Sequence, residues 1–262
     1  MYNYEHELKH RLGSLNFLKE IIYFSSIEST NTKASELALK GYDEWTVIVA
    51  DTQSKGKGRQ NRNWYSPPGV NIYTSLIVKP NISYKHIPSL SLLAGLIVAF
   101  TIEHFTGMQP TLKWPNDVLV NKKKISGILL ELFNNLYEKH GVVVGIGINV
   151  NSDVKDYPDQ LSQLATSMMT LTNKPYDRVE ILVYLYSTFY KWYNVYCAND
   201  GFNSIKEQYM QRFEMLNRYV KIINRDETIT GTVRDIDEYG RLVLEKDDGK
   251  LMNINSGDVH IM

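Results

Sequence analysis

The order of apolar and polar positions divides the chain into two regions of different grain. Residues 21–25 read as a strand, followed by a helix that the cluster Ser29-Thr30-Asn31 opens and Gly41 ends. Residues 46–50 and 72–78 are apolar runs of strand length, separated by a polar loop, 51–69, that holds glycines 56, 58 and 69 and two prolines. Residues 87–102 carry no charge, and 89–105 reads as a helix packed on a sheet. Between 111 and 149 the pattern predicts an antiparallel meander. Lys113-Trp114 closes one strand, 117–120 forms the next, 121–123 turns, 125–133 returns, Asn134-Asn135 turns again and 142–149 completes the set. Residues 177–197 place Ile181, Leu185, Thr188, Phe189 and Trp192 on one helical stripe, and Gly201 separates them from a second helix ending near Phe213.

Beyond residue 217 the grain changes. Short strands near Val220, Thr230, Leu242, Met252 and His260 alternate with the turn signals Asn224-Arg225-Asp226, Tyr239-Gly240, Asp247-Asp248-Gly249 and Ser256-Gly257. The expected organisation is an α+β domain over 1–217 and a small β-barrel over 218–262.

Composition removes several classes. With 262 residues, 43% hydrophobic and 22% charged, the chain is neither disordered nor fibrous. Its 29 basic and 29 acidic side chains cancel, which argues against a general nucleic-acid binder. One cysteine, Cys197, allows neither an internal disulfide nor a thiolate zinc site and fits a reducing, cytoplasmic setting. No apolar signal core opens the sequence, and no stretch reads as a membrane span.

Charge nevertheless concentrates. No Asp or Glu occurs between Thr52 and Ile102, and Lys55, Lys57, Arg59 and Arg62 lie there beside Gly56 and Gly58. Glycines let backbone N–H groups approach a ligand, and the cations suit phosphate or carboxylate oxygens. Trp64 follows, a surface on which a heteroaromatic ring can stack. Taken alone, such a run is more often a solvated basic loop. The segment lacks the ending of a P-loop and breaks the dinucleotide fingerprint, and no nucleophile elbow or zinc-binding helix occurs elsewhere. A second cluster, Lys113-Trp114-Pro115-Asn116-Asp117, precedes Lys122-Lys123-Lys124-Ile125-Ser126-Gly127. The first two of those lysines suit the tip of a hairpin, whereas Lys124 starts the returning strand and can face a cleft.

Four ordered blocks carry a resemblance: Glu28-Ser29-Thr30-Asn31; the segment from Gln53 through Gly56-Lys57-Gly58-Arg59 and Arg62 to Trp64; Lys113-Trp-Pro-Asn-Asp-Val118 with Lys124-Ile-Ser-Gly-Ile-Leu129; and Gly145-Ile-Gly-Ile-Asn-Val-Asn151. Together they resemble the biotin protein ligases, the biotin–[acetyl-CoA-carboxylase] ligase family. The resemblance implies a mostly antiparallel sheet flanked by helices, like the core of class II synthetases, with an SH3-like C-terminal domain. It implies adenylation of biotin by ATP with Mg²⁺, then transfer to a lysine of a biotin carboxyl carrier domain. Lys124 and Arg59 would be catalytic. Biotin would meet Ser29, Thr30, Asn31, Gln53, Gly56, Lys57, Arg59, Lys124 and Gly127. ATP and the adenylate would meet Arg62, Trp64, Lys113, Asn116, Asp117 and Asn149, with Asp117 orienting Lys124 or reaching the metal indirectly and no dedicated metal site.

Gly145 and Gly147 fit strands passing close under a ligand, and the loop would close over an intermediate that water destroys. Ser29 also suits a helix N-cap, a role compatible with facing a ligand. The sequence departs from the commonest pattern at Lys57, where Arg is usual, and at Gln60-Asn61, which replaces a pair such as Arg-Gly. About 20 residues precede the first strand, few for the helix-turn-helix module of the repressor members, so no operator binding is expected. Homodimers are common among relatives. The nearest alternative, a lipoate or octanoate ligase, would lack the Gly-Lys-Gly-Arg-x-x-Arg-x-Trp block.

Overall fold

The computed structural model describes residues 4–133, 141–199, 201–224 and 227–262. The expected Asn134-Asn135 turn and the Arg225-Asp226 part of another lie outside them. In chain order the helices are α1 (Tyr4–Gly13), α2 (Thr30–Leu39), α3 (Leu90–Thr106), α4 (Asp159–Ser162), α5 (Met168–Thr172), α6 (Arg178–Ala198) and α7 (Lys206–Met210). The first seven strands are β1 (Glu20–Phe24), β2 (Thr46–Ala50), β3 (Ile72–Val78), β4 (Thr111–Lys113), β5 (Asp117–Val120), β6 (Lys123–Phe133) and β7 (Gly141–Ile148). They form one sheet in the order β1-β2-β3-β7-β6-β5-β4. Only β1 and β2 pair in parallel; every other pairing in this sheet is antiparallel, as the meander predicts.

Strands β2, β3 and β7 are apolar at successive positions because the sheet is covered on both faces. Val47, Val49, Leu76 and Val144 face a core with α3, α6 and the N-terminal Leu8 and Leu12. Ile48, Ile77 and Val143 face α2 through Ala34, Leu37 and Ala38. The helical stretch Tyr84–Thr106, which ends in α3, is long and apolar enough to pass for a membrane span, but Leu92, Leu93, Leu96 and Ile97 are buried in the first core. α2 covers only part of its face. The rest of that face, where β6 and β7 carry glycines, is left for the site.

The last five strands, β8 (Tyr219–Asn224), β9 (Glu227–Ile236), β10 (Leu242–Glu245), β11 (Leu251–Ile254) and β12 (Asp258–Ile261), form a second, antiparallel sheet in the order β11-β10-β9-β8-β12. This C-terminal domain is fastened to the larger one. The buried Trp114 donates its indole N–H to the Gly240 carbonyl at 2.9 Å, and the missing Cβ of Gly240 makes room for Ser89.

Sequence expectations differ from the structure mainly at ends. Trp114 lies in the turn after β4, not in the strand, and β6 begins two residues earlier than expected. α1, which was not expected, packs against α6, and the second C-terminal helix shrinks to α7.

Candidate functional site

The polar loop folds on itself. The Trp64 N–H donates to the Gly56 carbonyl at 2.8 Å and the Gly58 N–H to the Arg62 carbonyl at 2.6 Å. Gln60 (φ 53°) and Asn61 (φ 59°) are both left-handed, and the Arg62 N–H donates back to the Arg59 carbonyl at 3.1 Å. These features define a hairpin turn of type I′. Asn tolerates that conformation and Gln does so less well, the physical content of the departure at Gln60-Asn61. A Cβ at Gly56 would come within 2.5 Å of the Trp64 carbonyl, so this glycine closes the base of the hairpin.

Beneath the hairpin lies a cavity of about 440 Å³. Of the residues expected at the site, every one except Gly56 lines it. At one end is the N-terminus of α2. The Ser29 hydroxyl accepts from the Thr32 N–H, a helix cap. The Thr30 N–H and hydroxyl both donate to Gln53 Oε1, at 2.9 and 3.1 Å, and Gln53 Nε2 donates to Ser66 Oγ. These groups offer donors and acceptors side by side. Asn31 is committed elsewhere: its amide accepts from Ser75 Oγ at 2.6 Å and donates to the Leu129 carbonyl at 3.2 Å. It ties α2 to β3 and β6.

The floor is bare backbone. Gly127 and Gly147 face each other across β6 and β7, and the Trp64 indole lies against both. A Cβ would stand 2.6 Å from the ring at 147 and 3.0 Å at 127. At Gly145 the Cβ would stand 1.9 Å from Asn31 Oδ1. The close approach expected under a ligand is thus already made by two side chains of the protein. Trp64 Nε1, packed against Gly147, is buried without a hydrogen-bond partner.

The cations stand around this floor. Lys124 Nζ is 2.6 Å from Asp117 Oδ1 and 5.5 Å from the Trp64 ring. The bulge between β5 and β6 that places Lys124 opposite Leu119 brings it to this face. Arg59 donates to Asn116 Oδ1 at 3.1 Å, and Asn116 Nδ2 donates to the Ile128 carbonyl, so Asn116 holds the guanidinium. Burial pushes the Arg59 pKa below the ordinary arginine range, opposed first by Asp258 and then by Asp117. Lys113 sits opposite Asp117 in the β4–β5 register. Lys57 reaches Glu131 at 3.1 Å and pins the hairpin to β6. The lining holds Lys57, Arg59, Arg62, Lys113 and Lys124 against Asp117 and Asp258, a surplus of positive charge suited to an anion. Among the described residues no cluster of three His, Cys, Asp or Glu could hold a metal ion.

Two contributors were not legible in sequence. One is the stretch 157–165, whose Tyr157, Leu161, Leu164 and Ala165 form an apolar wall. It is tied to the site because the Lys124 N–H donates to the Leu164 carbonyl and Asn149 Nδ2 to the Thr166 carbonyl. The other is Gly257, Asp258, Val259 and His260 of the C-terminal domain. Neither has a periodicity or motif that reports its place; only the tertiary fold brings it there.

A helix-flanked sheet with a cationic, glycine-floored cavity under a basic hairpin defines a class of acyl-activating ligases, and the comparisons with known proteins agree. Residues 23–149 match the Biotin/lipoate A/B protein ligase family and residues 215–262 the Biotin protein ligase C terminal domain. The chain is 35% identical over 257 residues to the bifunctional ligase/repressor BirA of Bacillus subtilis, covering 98% of this chain and 78% of that protein. It is 29% identical to the biotin–[acetyl-CoA-carboxylase] ligase of Mycobacterium tuberculosis, covering 95% and 91%. The structure of the biotin protein ligase from Aquifex aeolicus in complex with biotin and ATP superposes with a TM-score of 0.81 at 30% identity, over 94% of this chain and 99% of that one. The chain belongs to the biotin protein ligase family.

Proposed function

We propose that this chain activates biotin with ATP and transfers it to a lysine of a biotin carboxyl carrier domain of acetyl-CoA carboxylase or a related carboxylase. The observation that carries the reading is the placement of Lys124 and Arg59. Both line one cavity with Thr30, Gln53 and Trp64, and Lys124 Nζ lies 5.5 Å from the Trp64 ring. Thr30 and Gln53 supply both donors and acceptors for a ureido ring; Trp64 and the apolar wall suit adenine.

In the first step a biotin carboxylate oxygen attacks the α-phosphorus of ATP, the bond to the bridging oxygen breaks, and pyrophosphate leaves. An anion must approach a polyanion, and Lys124 and Arg59 offset that charge where it builds up. In the second step the neutral ε-amine of the carrier lysine attacks the acyl carbon, an amide forms, AMP leaves and the amine loses a proton. Ser29, Thr30, Gln53 and Gly127 bind biotin in this reading, and Arg62, Trp64, Lys113 and Asn149 the nucleotide. Asn31, Gly56, Lys57 and Asn116 shape the site: Asn31 ties α2 to β3 and β6, Gly56 closes the base of the hairpin, Lys57 pins it to β6 and Asn116 holds the Arg59 guanidinium. Mg²⁺ would accompany ATP on phosphate and water oxygens and would offset the leaving pyrophosphate, with Asp117, ion-paired to Lys124, reaching it indirectly.

The reading divides the chain into a catalytic domain, 1–217, and a C-terminal domain, 218–262. It places the enzyme in the cytoplasm, with no membrane partner and a homodimer as the assembly to seek by light scattering. Mass spectrometry of a biotin carboxyl carrier domain incubated with the chain, biotin and ATP tests the whole reaction. One biotinyl group on one lysine is expected, and none after Lys→Arg replacement of that lysine; an unmodified carrier contradicts the second step.

A further inference from the structure

The hairpin over the cavity is not held by the catalytic domain alone. Arg62 Nη2 donates to Asp258 Oδ1 at 2.8 Å, while Arg62 Nε donates to the Arg59 carbonyl at 3.2 Å. Arg59 Nη1 lies 3.5 Å from the Gly257 carbonyl, the residue before Asp258. Both arginines of the turn therefore rest on one corner of the C-terminal domain, where β12 begins. That corner is fixed: Val259 is buried, β12 pairs with β8 along its length, and a Cβ at 257 would come within 2.5 Å of Ile222. The domain itself is anchored elsewhere, through Trp114 and Gly240 and through Lys206 and Asp235 at 2.7 Å.

We propose that Asp258 is a positioning residue for the activation step: its carboxylate holds Arg62, and through Arg62 and the turn it sets the Arg59 guanidinium over the cavity. The inference rests on the adenylation reading above. Asp258 also opposes the burial that disfavours the Arg59 charge, ahead of Asp117. The Arg62–Asp258 pair is half-exposed, so it adds little to the stability of the fold. What it supplies is a fixed place for two like charges that repel each other when nothing lies between them.

The test compares Asp258→Asn and Asp258→Glu with the native enzyme in three measurements: biotin-dependent pyrophosphate release, thermal unfolding, and trypsin cleavage after Lys57, Arg59 or Arg62. Asp258→Asn should lower kcat/KM for ATP by roughly 10-fold or more, as for loss of a charge-assisted hydrogen bond. It should raise the rate of hairpin cleavage several-fold and leave the unfolding temperature within about 2 °C. Asp258→Glu, which keeps the charge, should recover most of the kinetic loss. Native-like kinetics and cleavage for Asp258→Asn would overturn the proposal. So would equal losses in both variants accompanied by a lowered unfolding temperature, the mark of a merely structural role. If the native enzyme releases no pyrophosphate with biotin, the adenylation reading itself fails; cleavage of the hairpin still reports on Asp258 independently.

Discussion

Lys124 is the side chain on which the chemistry depends most. It is the second residue of β6, beside a bulge, pairs with Asp117 and lies near the Trp64 ring. Lys124→Ala should slow biotin-dependent pyrophosphate release by roughly 10²-fold or more, in line with other lost transition-state charges. It should scarcely move the unfolding temperature, because a pair about one-third exposed contributes little to the fold. Near-normal release by that variant would remove Lys124 from the mechanism. Trp64→Ala should raise the ATP requirement by roughly 10-fold, given about 1–3 kcal/mol for stacking of a base on an aromatic ring, and the biotin requirement by much less. Steady-state kinetics with each substrate varied in turn checks the order, and the reverse order refutes adenine stacking. At this scale the sequence was most informative. Catalysis on two anions calls for cations, glycines and an aromatic at close spacing, and those are visible without a structure. The protein partners of these residues were not visible. Gly145 and Gly147 were read as close approaches, but the groups that approach them, Asn31 and Trp64, come from distant positions.

The element that turns these residues into a site is the hairpin of residues 56–64. Its type I′ turn carries Gln60 and Asn61 where Asn-Gly is the favoured pair. Replacing Gln60-Asn61 by Asn-Gly should therefore stiffen the turn, by about 1 kcal/mol from relief of left-handed backbone. Slower trypsin cleavage after Arg59 and Arg62 is the expected readout, and unchanged or faster cleavage counts against a strained turn. Strands and long helices were legible because burial on one or both faces imposes a period or an unbroken run. α1 was not, since only Leu8 and Leu12 of its ten residues are buried and its remaining surface is charged. The 157–165 wall escaped for a similar reason: the single turn α4 and the turns beside it are too short to show a period, and the bond that ties it to the site, from the Lys124 N–H to the Leu164 carbonyl, is long-range.

Over the whole molecule, the two domains act as one site. β12 lines the cavity and Trp114 fastens the C-terminal domain through Gly240, so the motif Lys113-Trp114-Pro115-Asn116-Asp117 serves both assembly and chemistry. The sequence located the second domain by its short strands and turns but not its docking, which depends on shape rather than on pattern. The core also sets the alkaline limit of stability. Tyr73, Tyr186, Tyr193, Tyr196 and Tyr209 all have pKa values raised by burial, and the Cys197 thiol is pushed up to about 11. A raised value in the folded state means that unfolding releases protons once the pH passes the ordinary values near 8.5 for Cys and 10 for Tyr. The folded chain then binds more protons than the unfolded one, and stability falls as pH rises. Chemical denaturation followed between pH 8 and 11 should give a midpoint that declines steeply above about pH 10; a flat profile would contradict the burial of these hydroxyls.

The most direct measurement is pyrophosphate release from ATP and Mg²⁺ with biotin, lipoate or octanoate supplied in turn. The account predicts release with biotin and not with the other two acids, because the Thr30–Gln53 end of the cavity is built for a polar ring. Release with lipoate or octanoate alone, or with none of the three from folded protein, would contradict it.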